Sequence, residues 1–156
     1  MRLRLLAIGQ RMPGWVETGF AEYAGRMPRD LALTLQAVPN PARSRAMDTS
    51  TLRRVEAQTL LAAVPDQSLL VALDEAGQVV DTSGLARRLG QWQQSGRDVT
   101  LLIGGATGLD DTVRKRADWV WSLSPLTFPH MLVRVLVAEQ IYRAWSLLHN
   151  HPYHRA

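Results

Sequence analysis

The sequence has no cysteine. That excludes a disulfide framework, a thiolate zinc site and a thiol nucleophile, and it fits a reducing compartment. Lysine is nearly missing too: Lys115 stands alone beside 17 arginines. Long apolar runs are also absent. After Arg2 and Arg4 the only early apolar stretch is Leu5 to Ile8, short of the roughly 7–15 residues of a signal-peptide core. No run approaches the ~18 apolar residues of a membrane span. The chain is therefore expected in the cytoplasm, with no membrane partner. Repeats, linkers and low-complexity tracts are missing as well, so residues 1–156 read as one domain.

What is present is a net charge of +4. Residues 1–66 hold nine arginines against six acids, and residues 67–156 nine basic residues against eight. Arginine forks suit phosphate geometry, so the excess points towards a polyanion such as nucleic acid; a genomic preference for arginine codons explains it equally. Arg43 and Arg45 in the loop 39–50, with Arg53 and Arg54 on the following helix, are the candidate contacts to an RNA backbone. A solvated basic surface is the plain alternative.

Strand and helix patterns alternate along the chain. Strands are predicted at 2–8, 31–38, 68–74, 98–105 and 119–124. Helices are predicted from Pro13, over 51–64 with Ser50 as N-cap, over 84–95 with Thr82 or Ser83 as cap and Gly96 as stop, over 110–118, and over 131–150. The later strands are continuous apolar runs. The predicted fold is therefore α/β, a mostly parallel sheet with helices on both faces.

The segment 100-TLLIGGATGLDD-111 raises the chemical question. It lacks the lysine and hydroxyl of a phosphate-binding P-loop. Its spacing and position are wrong for a dinucleotide fingerprint. Asp110 and Asp111 at the next helix start would repel a phosphate. A neutral or cationic nucleoside-like ligand is compatible with it, and so is a tight turn that binds nothing.

Arg134 is out of place. At 100° per residue it lies in the middle of the apolar face of the last helix, with Val137, Ala138, Ile141, Trp145 and Leu148 around it. A charge there must meet an acid, a row of carbonyls, a second chain or a ligand. Asp74 and Asp118 are the candidate structural partners. Glu139 and Arg143 read as an exposed i,i+4 pair. A helix this apolar nearly all round favours a dimer. The chain ends 149-HNHPYHRA-156, rich in histidine but without a nearby carboxylate, so no metal site is expected. Tyr153, His154 and Arg155 could stack on and hydrogen-bond RNA; a frayed end is the alternative.

Taken together, AIGQRMPGWVETGFAEYAGRMP at 7–28, IGGATG at 103–108, WSLSPLTFPHMLVRVLVAEQIYRAW at 121–145 and NHPYHR at 150–155 resemble the ribosomal RNA large subunit methyltransferase H family. That family belongs to the SPOUT class of methyltransferases. The resemblance implies a C-terminal trefoil knot, a homodimer with the knots at its interface, and S-adenosylmethionine bound in the knot loops. It also implies methylation of N3 of a pseudouridine in the helix 69 loop of 23S rRNA, on assembled ribosomes. Carried onto this sequence, the cofactor would meet Leu73, Gly104 and Gly105, and the loop Leu123, Ser124, Pro125, Leu126, Thr127 and Phe128. Many relatives have proline and an acid where this chain has Ala106 and Thr107, so no acid in the turn is assigned a role. Arg134, Tyr153, His154 and Arg155 are the candidate catalytic residues, supplying a cationic environment for the deprotonated ring, with His154 as an alternative proton acceptor. Two rivals remain: a non-catalytic ribosome-binding factor of the same fold, and a Rossmann-type nucleotide enzyme.

Overall fold

The computed structural model describes residues 1–41 and 47–154. Arg43, Arg45 and Arg155 lie outside the described residues. The elements run β1 (Leu3–Ile8), α1 (Gly14–Ala24), β2 (Leu33–Val38), α2 (Thr49–Ala62), β3 (Leu69–Val79), α3 (Thr82–Ser95), β4 (Val99–Ile103), α4 (Asp111–Arg116), β5 (Trp119–Ser122) and α5 (His130–Leu148). Two single 3-10 turns, Arg29–Leu31 and Pro152–His154, complete the set.

The five strands form one sheet in the order β2-β1-β4-β3-β5, and every pairing is parallel. Alternate residues feed two cores, as a period of two requires. Leu3, Leu5, Leu101 and Val71 face α1, α3 and α5, where Phe20, Leu89, Val137 and Ile141 meet them. Leu6, Ile8, Leu102 and Leu70 face α2 and α4, where Ala57, Leu60 and Val113 close over them. With both faces covered, β4 is buried at every position. This is why its sequence reads as an unbroken apolar run rather than an alternating one.

Two helix starts differ from the sequence expectation. Asp48, not Ser50, caps α2, its carboxylate accepting from the Thr51 amide at 2.7 Å. Asp81, not Thr82 or Ser83, caps α3 through the Gly84 amide at 2.7 Å. In both places a carboxylate on extended backbone outcompetes the neighbouring hydroxyl for the free amides. Gly96 does stop α3, in the left-handed conformation at φ 70°.

β3 is also longer than predicted. It runs beyond Asp74 to Val79, with a register shift between Leu73 and Gln78 where both oppose Trp121. The excursion 74–77 carries Asp74 and Glu75 out of the ladder. Pairing resumes because the Gly77 backbone lies against the Val120 carbonyl, 2.7 Å from where a Cβ would stand. Gly77→Ala is expected to destabilise the protein by about 1–3 kcal/mol, because a side chain meets backbone rather than a movable group. A denaturant midpoint equal to wild type would contradict that packing.

Candidate functional site

The C-terminal ends of β3, β4 and β5 open onto a cleft of about 720 Å³. In doubly wound sheets this edge is where ligands bind, and the volume suits a small cofactor. Leu73, Gly104, Gly105, Leu123, Ser124, Leu126, Thr127 and Phe128, which the family resemblance assigns to the cofactor, all line it. Pro125 belongs to the same loop, is exposed, and is not among the lining residues.

The turn 104–108 is a close approach of backbone to backbone. Gly105 and Gly108 form an antiparallel bridge, and the Gly108 amide donates to the Gly105 carbonyl at 3.1 Å. A Cβ on Gly104 would stand 2.8 Å from the Gly108 oxygen. Gly108 itself has φ 89°, which favours glycine strongly. From α2, Arg53 donates through Nε to the Thr107 carbonyl at 2.7 Å. Arg53 is thus a wall of the cleft and engaged with its turn, not a free RNA contact. Arg54 beside it is exposed.

The cleft carries acids. Asp74 accepts from Arg114 Nη1 at 2.8 Å, and the same nitrogen donates to the Leu109 carbonyl at 3.0 Å. Arg114 also pairs with Asp111, and these carboxylates hold its guanidinium above its ordinary pKa. Across the opening, Glu75 accepts from the Thr127 hydroxyl at 2.7 Å. At the start of α4, Asp110 takes the Thr112 amide and hydroxyl, which holds its pKa down. The anion-attracting helix start is thus already answered by the chain's own carboxylate. A cationic ligand suits these walls better than a phosphate.

Arg134 is wholly buried and among the described residues forms no salt bridge; of the expected alternatives the row of carbonyls is the one found, and the acids Asp74 and Asp118 are corrected. Asp74 belongs to Arg114, and Asp118 accepts from the Leu70 amide. Arg134 Nη2 instead donates to the carbonyls of Ile8 and Gly9, at 2.8 Å each. These carbonyls become available because Gly9 turns at φ 107° as β1 ends. Nε and Nη1 have no partner, and burial lowers the guanidinium's pKa. Arg134 does not line the cleft; His130, one helical turn earlier, does. The His130 pKa is lowered by burial and then by the Arg134 charge. Sequence reasoning missed His130, and the only available signal was its i,i+4 spacing to Arg134.

The tail is docked rather than frayed. Tyr153 donates its hydroxyl to Glu139 at 2.9 Å, and its ring packs on Tyr142 at 4.7 Å between centroids. Arg143 lies over the same ring and bonds Glu139. The Glu139–Arg143 pair is therefore half covered, not freely exposed. The His154 carbonyl accepts from Arg143 Nη1 at 3.4 Å. Burial, and then the Glu139 hydrogen bond, push the Tyr153 phenol up to about 12, so it keeps its proton at neutral pH. Among the described residues no three histidines, cysteines or acids converge to hold a metal.

Glu139 lies nine residues along α5 from His130. That is about 14 Å of rise and half a revolution of the helix. The structure thus brings the predicted cofactor residues together and leaves Tyr153 and His154 on the opposite face of α5 from the cleft wall. In a spectrophotometric titration, the Tyr153 component should appear well above the usual tyrosine range and vanish in Tyr153→Phe. Glu139→Gln should lower it, since a neutral partner no longer opposes phenolate formation. A Tyr153 titration near 10 would contradict the docked tail.

Comparisons with known proteins agree with this geometry. The family profile described as "Predicted SPOUT methyltransferase" matches residues 1–154. The ribosomal RNA large subunit methyltransferase H of Thioalkalivibrio sulfidiphilus (strain HL-EbGR7) is 54% identical over 155 residues, covering 99% of each chain. The protein of the same name from Coxiella burnetii (strain Dugway 5J108-111) is 49% identical, covering 99% of this chain and 100% of that one. Among solved structures, a probable methylase family protein from Haemophilus influenzae Rd KW20 superposes with a TM-score of 0.56 at 13% identity, over 95% of this chain and 68% of that one. TrmJ from Z. mobilis ZM4 gives 0.52 at 18% identity, over 92% and 70%.

Proposed function

Because the chain belongs to the SPOUT methyltransferase family, within its ribosomal RNA large subunit methyltransferase H group, we propose that it transfers a methyl group from S-adenosylmethionine to 23S rRNA. The target we assign is N3 of a pseudouridine in the helix 69 loop of the assembled ribosome. The observation that carries the reading is the cleft framed by the 104–108 turn and the 123–128 loop.

The residues present fit that cofactor. Glycine backbone at 104 and 105 admits a flat nucleoside, Leu73, Leu123 and Phe128 give apolar walls, and the Asp74 and Glu75 carboxylates suit a cation. The bound cofactor supplies the activated methyl group; the chain aligns and shields it. N3 of the target ring must lose a proton, and a fixed positive charge favours the resulting anion. Arg134 is placed to supply that field from one layer behind the cleft wall, through His130 and the Gly9 turn it holds.

Glu139 holds Tyr153, and with it the described part of the tail, on the face of α5 opposite its own cleft. We therefore assign it to the cleft of a second copy: in a homodimer, Tyr153, His154 and Arg155 of each chain would complete the partner's site as hydrogen-bond donors. The half-buried apolar residues along α5 and the exposed Leu148 support such a pairing. The trefoil knot of the class is part of the same proposal. Its support is the strand order, in which β5 lies outside β3 and α5 then packs back against α3. Arg54, with Arg43 and Arg45, remains the candidate RNA-backbone set; charge reversal there should weaken ribosome binding and flatten its salt dependence.

The test is methyl transfer from labelled S-adenosylmethionine to ribosomes from a strain lacking this gene, with mass spectrometry of the digested nucleosides. Label in N3-methylpseudouridine is expected. Ribosome binding without label would favour the non-catalytic factor. Arg134→Ala should lose transfer by about a hundredfold or more while remaining folded by circular dichroism; full activity would remove Arg134 from the mechanism. Mixing inactive Arg134→Ala with an inactive Tyr153→Ala/His154→Ala variant should restore about a quarter of wild-type activity, since each mixed dimer regains one intact site. No restoration would mean the tail acts within its own chain.

A further inference from the structure

Behind the glycine turn lies a group that the reaction as described does not use. Glu56 sits on α2, one helical turn beyond Arg53, and is 3% exposed. Among the described residues it forms neither a hydrogen bond nor an ion pair, and its Oε1 is fully buried without a partner. Burial alone moves its pKa, upwards, and among the described residues no ion pair accounts for the carboxyl being there. Its notable neighbour is Gly105: a Cβ on that residue would stand 2.5 Å from Glu56 Oε2, and 3.1 Å from both Cδ and Oε1.

A buried carboxyl without a partner is costly. An alkyl side chain would fill the same space without that cost. The acid presses on one side of the Gly105 residue whose other side is cleft wall, while Arg53 on the same face of α2 holds the Thr107 carbonyl.

We infer that Glu56 is a positioning residue of the cofactor site, its carboxyl bracing Gly105 from the α2 side so that the 104–108 turn presents its backbone to the nucleoside. This rests on the S-adenosylmethionine reading of the cleft. A carboxyl group can accept from an amide and, when it carries its proton, donate to a carbonyl as the turn settles on its ligand; an alkyl group can do neither. Glutamine has the same two capacities in nearly the same shape. Methionine has the length and flexibility without the hydrogen bonding. A merely space-filling role would be served by either.

The experiment measures S-adenosylmethionine affinity by calorimetry on the full-length protein, with melting temperature as the folding control. Glu56→Gln should bind within about threefold of wild type, whereas Glu56→Met should bind at least about tenfold more weakly although folded. In turnover, Glu56→Met should raise KM for the cofactor and leave KM for ribosomes unchanged. Gly105→Ala should also weaken binding about tenfold or more, because its methyl collides with Glu56, and the double variant Gly105→Ala/Glu56→Ala should bind more tightly than Gly105→Ala alone. A folded Glu56→Met that binds as wild type, or a double variant with no recovery, overturns the proposal. Failure of the wild-type protein to bind the cofactor would overturn the reading of the cleft together with it.

Discussion

The cleft depends on one close approach of main chain to main chain. Between Gly104 and Gly108 the strand turns back on itself so tightly that a single methyl on Gly104 would meet a carbonyl oxygen. A turn built from backbone has no side chains to anchor it, so its neighbours do so. Arg53 holds the Thr107 carbonyl, Leu109 is buried in the core beneath it, and Arg114 ties the Leu109 carbonyl to Asp74 in the 74–77 excursion of β3. Helices α2 and α4, which seem only to cover one face of the sheet, are in this sense parts of the site.

Electrostatics then decide what the cleft accepts. In its charged lining Arg114 pairs with Asp74, Glu75 accepts from the Thr127 hydroxyl and Arg53 holds the Thr107 carbonyl, and the helix start that would attract a phosphate is capped by Asp110. An anionic ligand would compete with these groups; a ligand carrying a sulfonium would not. Arg134, wholly buried, is neutralised by no acid among the described residues. It relies on carbonyl dipoles released where β1 ends, an arrangement that leaves two of its nitrogens without partners. Such an unsatisfied buried charge is costly for stability.

The alternation of strands and helices was legible because buried parallel strands must be apolar and helices must show a 3.6-residue stripe. The glycine turn was legible as a place of unusual backbone freedom, open to a ligand or to a tight turn alone, and the loop 123–128 entered only through the family resemblance. The oddity of Arg134 was legible as well, since a charge in an apolar stripe violates the period that defines the helix. Its partner was not. An acid, a row of carbonyls, a second chain and a ligand were all compatible with it, and carbonyl acceptors leave no trace in a sequence by which to choose.

The excursion 74–77 escaped the sequence reading for a similar reason: it arises from how β3 meets β5, not from its own residues. So did the role of Glu56, an acid on an otherwise ordinary amphipathic helix, which becomes unusual only when Gly105 closes over it. The docking of Tyr153 on Glu139 likewise needs the chain to double back along α5. By itself the sequence determined the elements and their α/β class, because these follow from local periodicity and backbone freedom; the residues assigned to a cofactor came from the family resemblance. Tertiary structure alone decided which charges meet, which acid is stranded in the interior and which end of α5 the tail serves. Those depend on distances between segments far apart in the chain, and local pattern carries no information about them.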